Sequence, residues 1–128
     1  MNTQTNAESV RNDIEKAREH FADKMAFSTG PVELYRQIKQ KEKITIVDVR
    51  EAEDYAAGHI PGAMNLPQSK WENSNGFDQN KVNVIYCYSL VCHLAAKAAL
   101  LFAEKGFSVM EMDGGFRAWK EHDLPIEK

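Results

Sequence analysis

Ile44-Thr45-Ile46-Val47-Asp48-Val49 decides the fold class. The run is β-branched apart from Asp48 and lacks polar alternation, the pattern of a compact strand buried on both faces. Such a strand needs helices above and below it, which points to a mainly parallel sheet. Further along, Val82-Asn83-Val84-Ile85-Tyr86 and Phe107 to Met112 read as additional strands.

Helical patterns fill the intervals. Pro31 opens a helix running to about Lys41, with Leu34, Ile38 and Tyr35 inward. Glu51 to Ala57 forms a short helix stopped by Gly58. After the turn His59-Ile60-Pro61-Gly62, the segment Ala63 to Leu66 is a brief strand. Gln68 to Asn80 is polar and reads as a surface loop anchored by Trp71. Leu90 to Lys105 is an apolar helix, with Leu94, Ala95, Ala98, Leu101 and Phe102 inward, ended by Gly106. Gly114-Gly115 makes a turn, and Phe116 to His122 is a closing helix carrying Trp119. Upstream, Val10, Ile14, Ala17, Phe21 and Met25 recur at helical spacing over residues 7 to 27. That stripe must pack on its own domain or on a second copy, so a homodimer through this helix is one expectation. Ser28-Thr29-Gly30-Pro31 punctuates the chain. The expected organisation is an N-terminal helix appendage over 1–28 and one α/β domain over 29–128.

Composition narrows the function classes. The 128 residues carry a formal net charge of -3, which offers no basic field for nucleic acid or an anionic membrane. No apolar stretch approaches the length of a membrane span. Met1 to Ala7 lacks the charged start and apolar run of a secretory signal, so a cytoplasmic protein is expected. Cys87 and Cys92 are the only cysteines and lie too close in sequence to staple a fold. In a reducing compartment such a pair means chemistry or packing.

In parallel α/β sheets, ligands sit beyond the carboxyl ends of the strands. Asp48-Val49-Arg50, Cys87 to Cys92, and Asp113-Gly114-Gly115 occupy those ends. Cys87 follows a buried strand and precedes a helix. Backbone N–H groups of Tyr88, Ser89, Leu90, Val91 and Cys92, together with the helix dipole, would stabilise its thiolate. Position alone leaves equally open that Cys87 is a small buried hydrophobe.

At this point the chain resembles the rhodanese family. Ile46-Val47-Asp48-Val49-Arg50-Glu51 and Glu53-Asp54-Tyr55-Ala56-Ala57-Gly58-His59-Ile60-Pro61-Gly62-Ala63-Met64-Asn65-Leu66-Pro67 look like the opening half of a rhodanese domain. Val84-Ile85-Tyr86-Cys87 matches the active-site strand and cysteine, and Met112-Asp113-Gly114-Gly115-Phe116-Arg117-Ala118-Trp119 the closing motif. The resemblance spans roughly residues 31 to 126 and omits the N-terminal helix. It implies a parallel five-stranded sheet flanked by helices on both faces. It also implies that Cys87 takes a sulfur atom as a persulfide from a sulfane-sulfur donor and hands it to a thiol or other thiophilic acceptor. No cofactor is called for.

The loop departs from the family pattern of Cys, two variable residues, a small residue, one more and then Arg. Leu90 stands in the small position and Cys92 in that of the arginine. From Cys87 to Ala96 there is no Lys or Arg, which disfavours a dianion such as thiosulfate and favours a low-charge persulfide. The related phosphatase loop would place His93 where its arginine belongs, and without that bidentate clamp phosphatase activity is not expected.

Other residues keep two readings. Cys92 is either a resolving thiol for Cys87 or apolar packing. Cys87, Cys92 and His93 match no common zinc spacing, so no metal is expected. His93 either donates to a substrate oxygen or covers a helix end. Asp48 and Arg50 either brace neighbouring loops or touch substrate. His59, Gly114, Gly115, Trp71 and Trp119 read as structural. For the whole chain the alternatives to a sulfurtransferase or persulfide carrier are two: an inactive rhodanese-like binding module with Tyr88 and Leu90 as contacts, and a Cys87/Cys92 thiol-disulfide switch.

Overall fold

The computed structural model describes residues 6–72 and 78–128. The start of the polar N-terminal stretch and the middle of the loop expected over 68–80 lie outside the described residues. Five parallel strands form one sheet: β1 Ser28–Thr29, β2 Ile44–Asp48, β3 Met64–Asn65, β4 Val82–Tyr86 and β5 Val109–Met112. Their order is β1-β5-β4-β2-β3. The helices are α1 Asn6–Asn12, α2 Ile14–Phe27, α3 Pro31–Lys39, α4 Ala52–Ala57, α5 Leu94–Glu104 and α6 Gly115–Glu121, and a short 3-10 turn spans Gln68–Lys70.

Strand alternation divides the core. Val47, Val49, Ile85 and Cys87 face α5, where Ala95, Ala98 and Phe102 meet them. Ile46, Val84 and Tyr86 face the other way, against Leu34 of α3 and Phe116 and Trp119 of α6. Both faces of β2 and β4 are therefore dry, as their β-branched runs required. Each fully buried side chain of this kind contributes about 1.5–3 kcal/mol. Trp71 is buried and donates its indole N–H to the Leu66 carbonyl at 2.8 Å, anchoring the loop after β3.

Three expectations are corrected. Residues 7 to 27 are not one helix: the chain breaks at Asp13 (φ -124°, ψ 56°) between α1 and α2. Ser28 and Thr29 are more than punctuation, because they pair with Glu111 and Met112 of β5 as an edge strand. The helix expected from Leu90 begins at Leu94, so residues 88–93 form a loop. Among the described residues the N-terminal stripe is left largely open: α2 has no buried residue, and Phe21 and Met25 are 60% and 78% exposed.

Candidate functional site

Because all five strands run parallel, the segments after β2, β4 and β5 emerge at the same end of the sheet. The middle one carries Cys87 out of β4. Its carbonyl accepts from Phe116 N–H at 2.8 Å, and that of Tyr88 accepts from Arg117 N–H at 3.0 Å. The first turn of α6 thus holds the start of the Cys87 loop from behind. Gly114 and Gly115, both at positive φ, make the approach possible. Beyond Tyr88, Cys92 N–H closes a turn on the Ser89 carbonyl at 3.1 Å.

That turn folds Cys92 back toward Cys87, whose Sγ donates to the Cys92 carbonyl at 3.5 Å. Both cysteines are free thiols and line one cavity of about 190 Å³ with Ser89, Leu90, His93, Glu111 and Asp113. The backbone amides at the sulfurs differ from those expected. Tyr88 N–H serves both, whereas Ala95 N–H at Cys87 and Leu94 N–H at Cys92 come from the true first turn of α5. The Cys92 amide is spent on its turn.

The charge balance at Cys87 also differs from a stabilised thiolate. Burial pushes the Cys87 thiol up to about 11, its hydrogen bond to Cys92 adds to this, and the amides of Ala95 and Tyr88 only partly oppose it. At Cys92 burial works in the same upward sense. The Cys87 hydrogen bond and the amides of Leu94 and Tyr88 outweigh it and bring the thiol below its ordinary value. Of the two neighbouring thiols, the outer one, Cys92, is therefore the easier to deprotonate.

The cavity wall opposite is acidic. Glu111 lies on β5, half-buried, and its carboxyl is raised by burial first and by Asp113 second, with Lys24 and His93 opposing. Lys24 reaches Asp113 from α2 at 3.4 Å, so the N-terminal helix contributes to the rim. His93 precedes α5 on the exposed side. Leu90 and Val91 project outward, 78% and 85% exposed. Tyr88 donates its hydroxyl to Asp54 at 2.5 Å and accepts from Glu51 N–H at 3.1 Å, tying the loop to the start of α4.

Asp48 and Arg50 lie beside the cavity rather than on its wall. Their buried pair is bidentate, with Arg50 Nη2 to Asp48 Oδ2 at 2.8 Å and Nε to both carboxylate oxygens at 3.1 Å. Arg50 Nη2 also donates to the Gly58 carbonyl at 2.6 Å, and the Tyr86 hydroxyl donates to Asp48 Oδ2 at 2.6 Å. Burial disfavours the Arg50 charge, but Asp48 outweighs that and raises its pKa. Burial, and then Asp48, also raise Tyr86. The pair therefore locks the end of β2 to β4 and to the turn at Gly58. His59 is structural in the same sense, stacked on Tyr55 at 3.8 Å and bonded through Nδ1 to the Tyr55 carbonyl.

Sequence reasoning missed Glu111, Lys24 and the amides of Leu94 and Ala95. Glu111 carries no motif signal; its place comes from the β4–β5 register, in which it partners Ile85.

A parallel sheet covered on both faces, with a cysteine leaving its central strand into a loop clamped by a helix, defines the class of this protein. The Rhodanese-like domain family matches residues 31–122, and the chain belongs to that family. Among curated relatives it is similar to the HTH-type transcriptional regulator Rv0324 of Mycobacterium tuberculosis, with 33% identity over 97 residues. That match covers 75% of this chain and 42% of the relative, so the chain spans less than half the length of that protein. It is also similar to the thiosulfate sulfurtransferase GlpE of Pseudoalteromonas translucida, 35% identical over 100 residues, covering 75% of this chain and 91% of the other. Among solved structures, the BH2092 protein from Bacillus halodurans superposes with a TM-score of 0.82 at 35% identity, covering 90% of this chain and 86% of that one. The resemblance read from the three motifs is confirmed, as is the five-stranded parallel architecture. Among the described residues no helix is long and apolar enough to cross a membrane.

Proposed function

We propose that this protein is a sulfurtransferase or persulfide carrier in which Cys87 accepts one sulfane sulfur and passes it to a thiol or other thiophilic acceptor. The observation that carries the reading is Cys87 in the wall of a closed-backed cavity at the strand ends, with the amides of Tyr88 and Ala95 at its sulfur. Similarity to a protein named a thiosulfate sulfurtransferase supports the chemistry. The Cys87 sulfur attacks the outer sulfur of a donor R–S–SH, forming Cys87–S–SH as the donor's S–S bond breaks, and the Cys87 proton leaves with the departing R–S⁻ as the thiol R–SH. The acceptor thiolate then takes the same outer sulfur and returns Cys87 as thiolate.

The donor is a persulfide of low charge. Residues 87 to 96 supply no Lys or Arg, and Glu111 and Asp113 face the entering group, an arrangement that repels a dianion. Two free thiols of this kind persist in a reducing compartment, which favours the cytoplasm. Treated with an aliphatic persulfide and alkylated at early times, Cys87 carries one extra sulfur atom by peptide mass spectrometry, and Cys87→Ser carries none there. Failure to load with several persulfides overturns the assignment.

The exposure of Leu90 and Val91 favours one second reading, a binding module in which this loop meets a partner protein. In that case Cys87→Ser leaves the biological role intact and Leu90→Glu abolishes it.

A further inference from the structure

The most informative unassigned feature is the second thiol. Cys92 lies five residues beyond Cys87, yet the Ser89–Cys92 turn brings it back over the same cavity. Residues so spaced on a straight helix would diverge; here the helix starts only at Leu94, so the intervening loop is free to curl. Cys87 Sγ already reaches the Cys92 carbonyl at 3.5 Å, and both thiols line the same cavity. Cys92 is the more solvent-accessible of the two, whereas Cys87 is 2% exposed. A persulfide built on Cys87 therefore has a thiol of the same chain beside it before any acceptor from solution arrives.

We propose that Cys92 is a resolving thiol that attacks Cys87 persulfide and releases its sulfur as hydrosulfide, leaving a Cys87–Cys92 disulfide. The inference rests on Cys87 accepting sulfur. The step balances as Cys87–S–SH plus Cys92–S⁻ giving Cys87–S–S–Cys92 plus HS⁻. The bond between Cys87 Sγ and the outer sulfur breaks, and a bond between the two Sγ atoms forms. The sulfane sulfur is reduced to sulfide by two electrons, which the two cysteines lose, and the perthiol proton leaves with it. A dithiol reductant returns both cysteines to thiols and closes the cycle. The chemistry converts a carrier into a sulfide-releasing enzyme and gives a reason for Cys92 where the family loop carries arginine. Burial pushes the Cys92 thiol up, but the contact with Cys87 and the amides of Leu94 and Tyr88 outweigh it and bring the thiol below its ordinary value, which favours the attacking thiolate.

The test is a single turnover without oxygen. Full-length wild type, Cys92→Ala and Cys92→Ser are mixed with a slight excess of an aliphatic persulfide, then alkylated and mapped by mass spectrometry while sulfide is measured. Wild type yields the Cys87–Cys92 disulfide and one equivalent of sulfide per chain. The two variants hold the extra sulfur on Cys87 at least about tenfold longer, because they lack the intramolecular attack. A wild-type persulfide as long-lived as that of the variants, without disulfide, overturns the inference while leaving Cys87 as the sulfur acceptor. So does a disulfide that forms equally fast without donor. Failure of all three proteins to load Cys87 overturns the underlying assignment instead.

Discussion

Gly115 lies so close beneath the Cys87 loop that a Cβ on it would sit 2.5 Å from the Ser89 amide nitrogen and 2.7 Å from the Cys87 carbonyl oxygen. These are backbone atoms and cannot swing aside as a flexible side chain would. Gly115 also has φ +63°, which side chains rarely adopt. Gly115→Ala therefore pushes the loop away from α6 and breaks the bonds from Phe116 and Arg117 that hold it. The variant is expected to lose at least about 2 kcal/mol of stability and most of its Cys87 loading rate. Urea denaturation and early-time persulfide mapping check both; unchanged loading would show that the clamp does not shape the site.

The Asp48–Arg50 pair predicts a stability effect away from the cavity. Arg50→Met leaves a buried carboxylate with only the Tyr86 hydroxyl and the Arg50 amide as partners. Breaking such a pair from one side costs about 3–5 kcal/mol. Adding Asp48→Asn removes the stranded charge and should recover part of that loss in the double variant. Denaturation midpoints of the three variants measure the coupling.

How far the sequence carried can be read from particular elements. β2 and β4 were legible because strands buried on both faces leave β-branched runs, and α3 and α5 because their inward residues keep helical spacing. β1 was not, since two residues carry no periodicity and Ser28–Thr29 is a strand only through its partner β5. The start of α5 was misplaced because Leu90 and Val91 look like helix interior, and no side-chain cap marks His93 as the boundary. What holds that segment as a loop is the grip of α6 on the Cys87 and Tyr88 carbonyls, a contact made across the fold. Cys87 was visible at a strand end, whereas Glu111 becomes part of the cavity only once register is known.

The N-terminal stripe makes a prediction about assembly. Val10, Ile14, Phe21 and Met25 are 60% exposed or more, apolar side chains that their own chain leaves in water. A second copy offers the same strip in a two-fold arrangement, and we propose that it covers this face. Light scattering should then find a dimer, and Phe21→Glu with Met25→Glu a monomer of nearly unchanged unfolding midpoint, because α2 buries nothing within its own chain. A monomeric wild type at high micromolar concentration would rule this out.

The thiol pair predicts an order of reactivity with pH. Cys92, lowered, is alkylated first as pH rises, and Cys87, pushed up to about 11, follows only in the alkaline range. The sign for stability follows from the raised value. The folded state keeps the Cys87 proton longer than the unfolded chain, where a free thiol titrates near ~8.5. This contribution is complete below that pH and is lost as pH rises toward about 11. Cys92 contributes in the opposite sense. Urea midpoints should fall more steeply with alkaline pH in wild type than in Cys87→Ala. Equal slopes, or Cys87 reacting before Cys92, would contradict this order of deprotonation.

Glu111 sets the last expectation, on donor charge. Its half-buried carboxylate faces the cavity with Asp113, and Lys24 is already engaged with Asp113 at 3.4 Å. Removing the charge in Glu111→Gln should accelerate loading from thiosulfate about tenfold at low salt, while a neutral persulfide changes by no more than about twofold. Added salt should narrow the thiosulfate difference, because screening weakens repulsion at the partly exposed rim. Burial and Asp113 raise the Glu111 carboxyl, so its contribution to stability is complete below the ordinary carboxylate range and is lost as pH rises through its folded pKa. The Gln variant should lack that fall in its unfolding midpoints. If thiosulfate loads equally slowly in both proteins, the acidic wall is not the barrier, and the absence of a fixed cation from residues 87 to 96 remains as the cause.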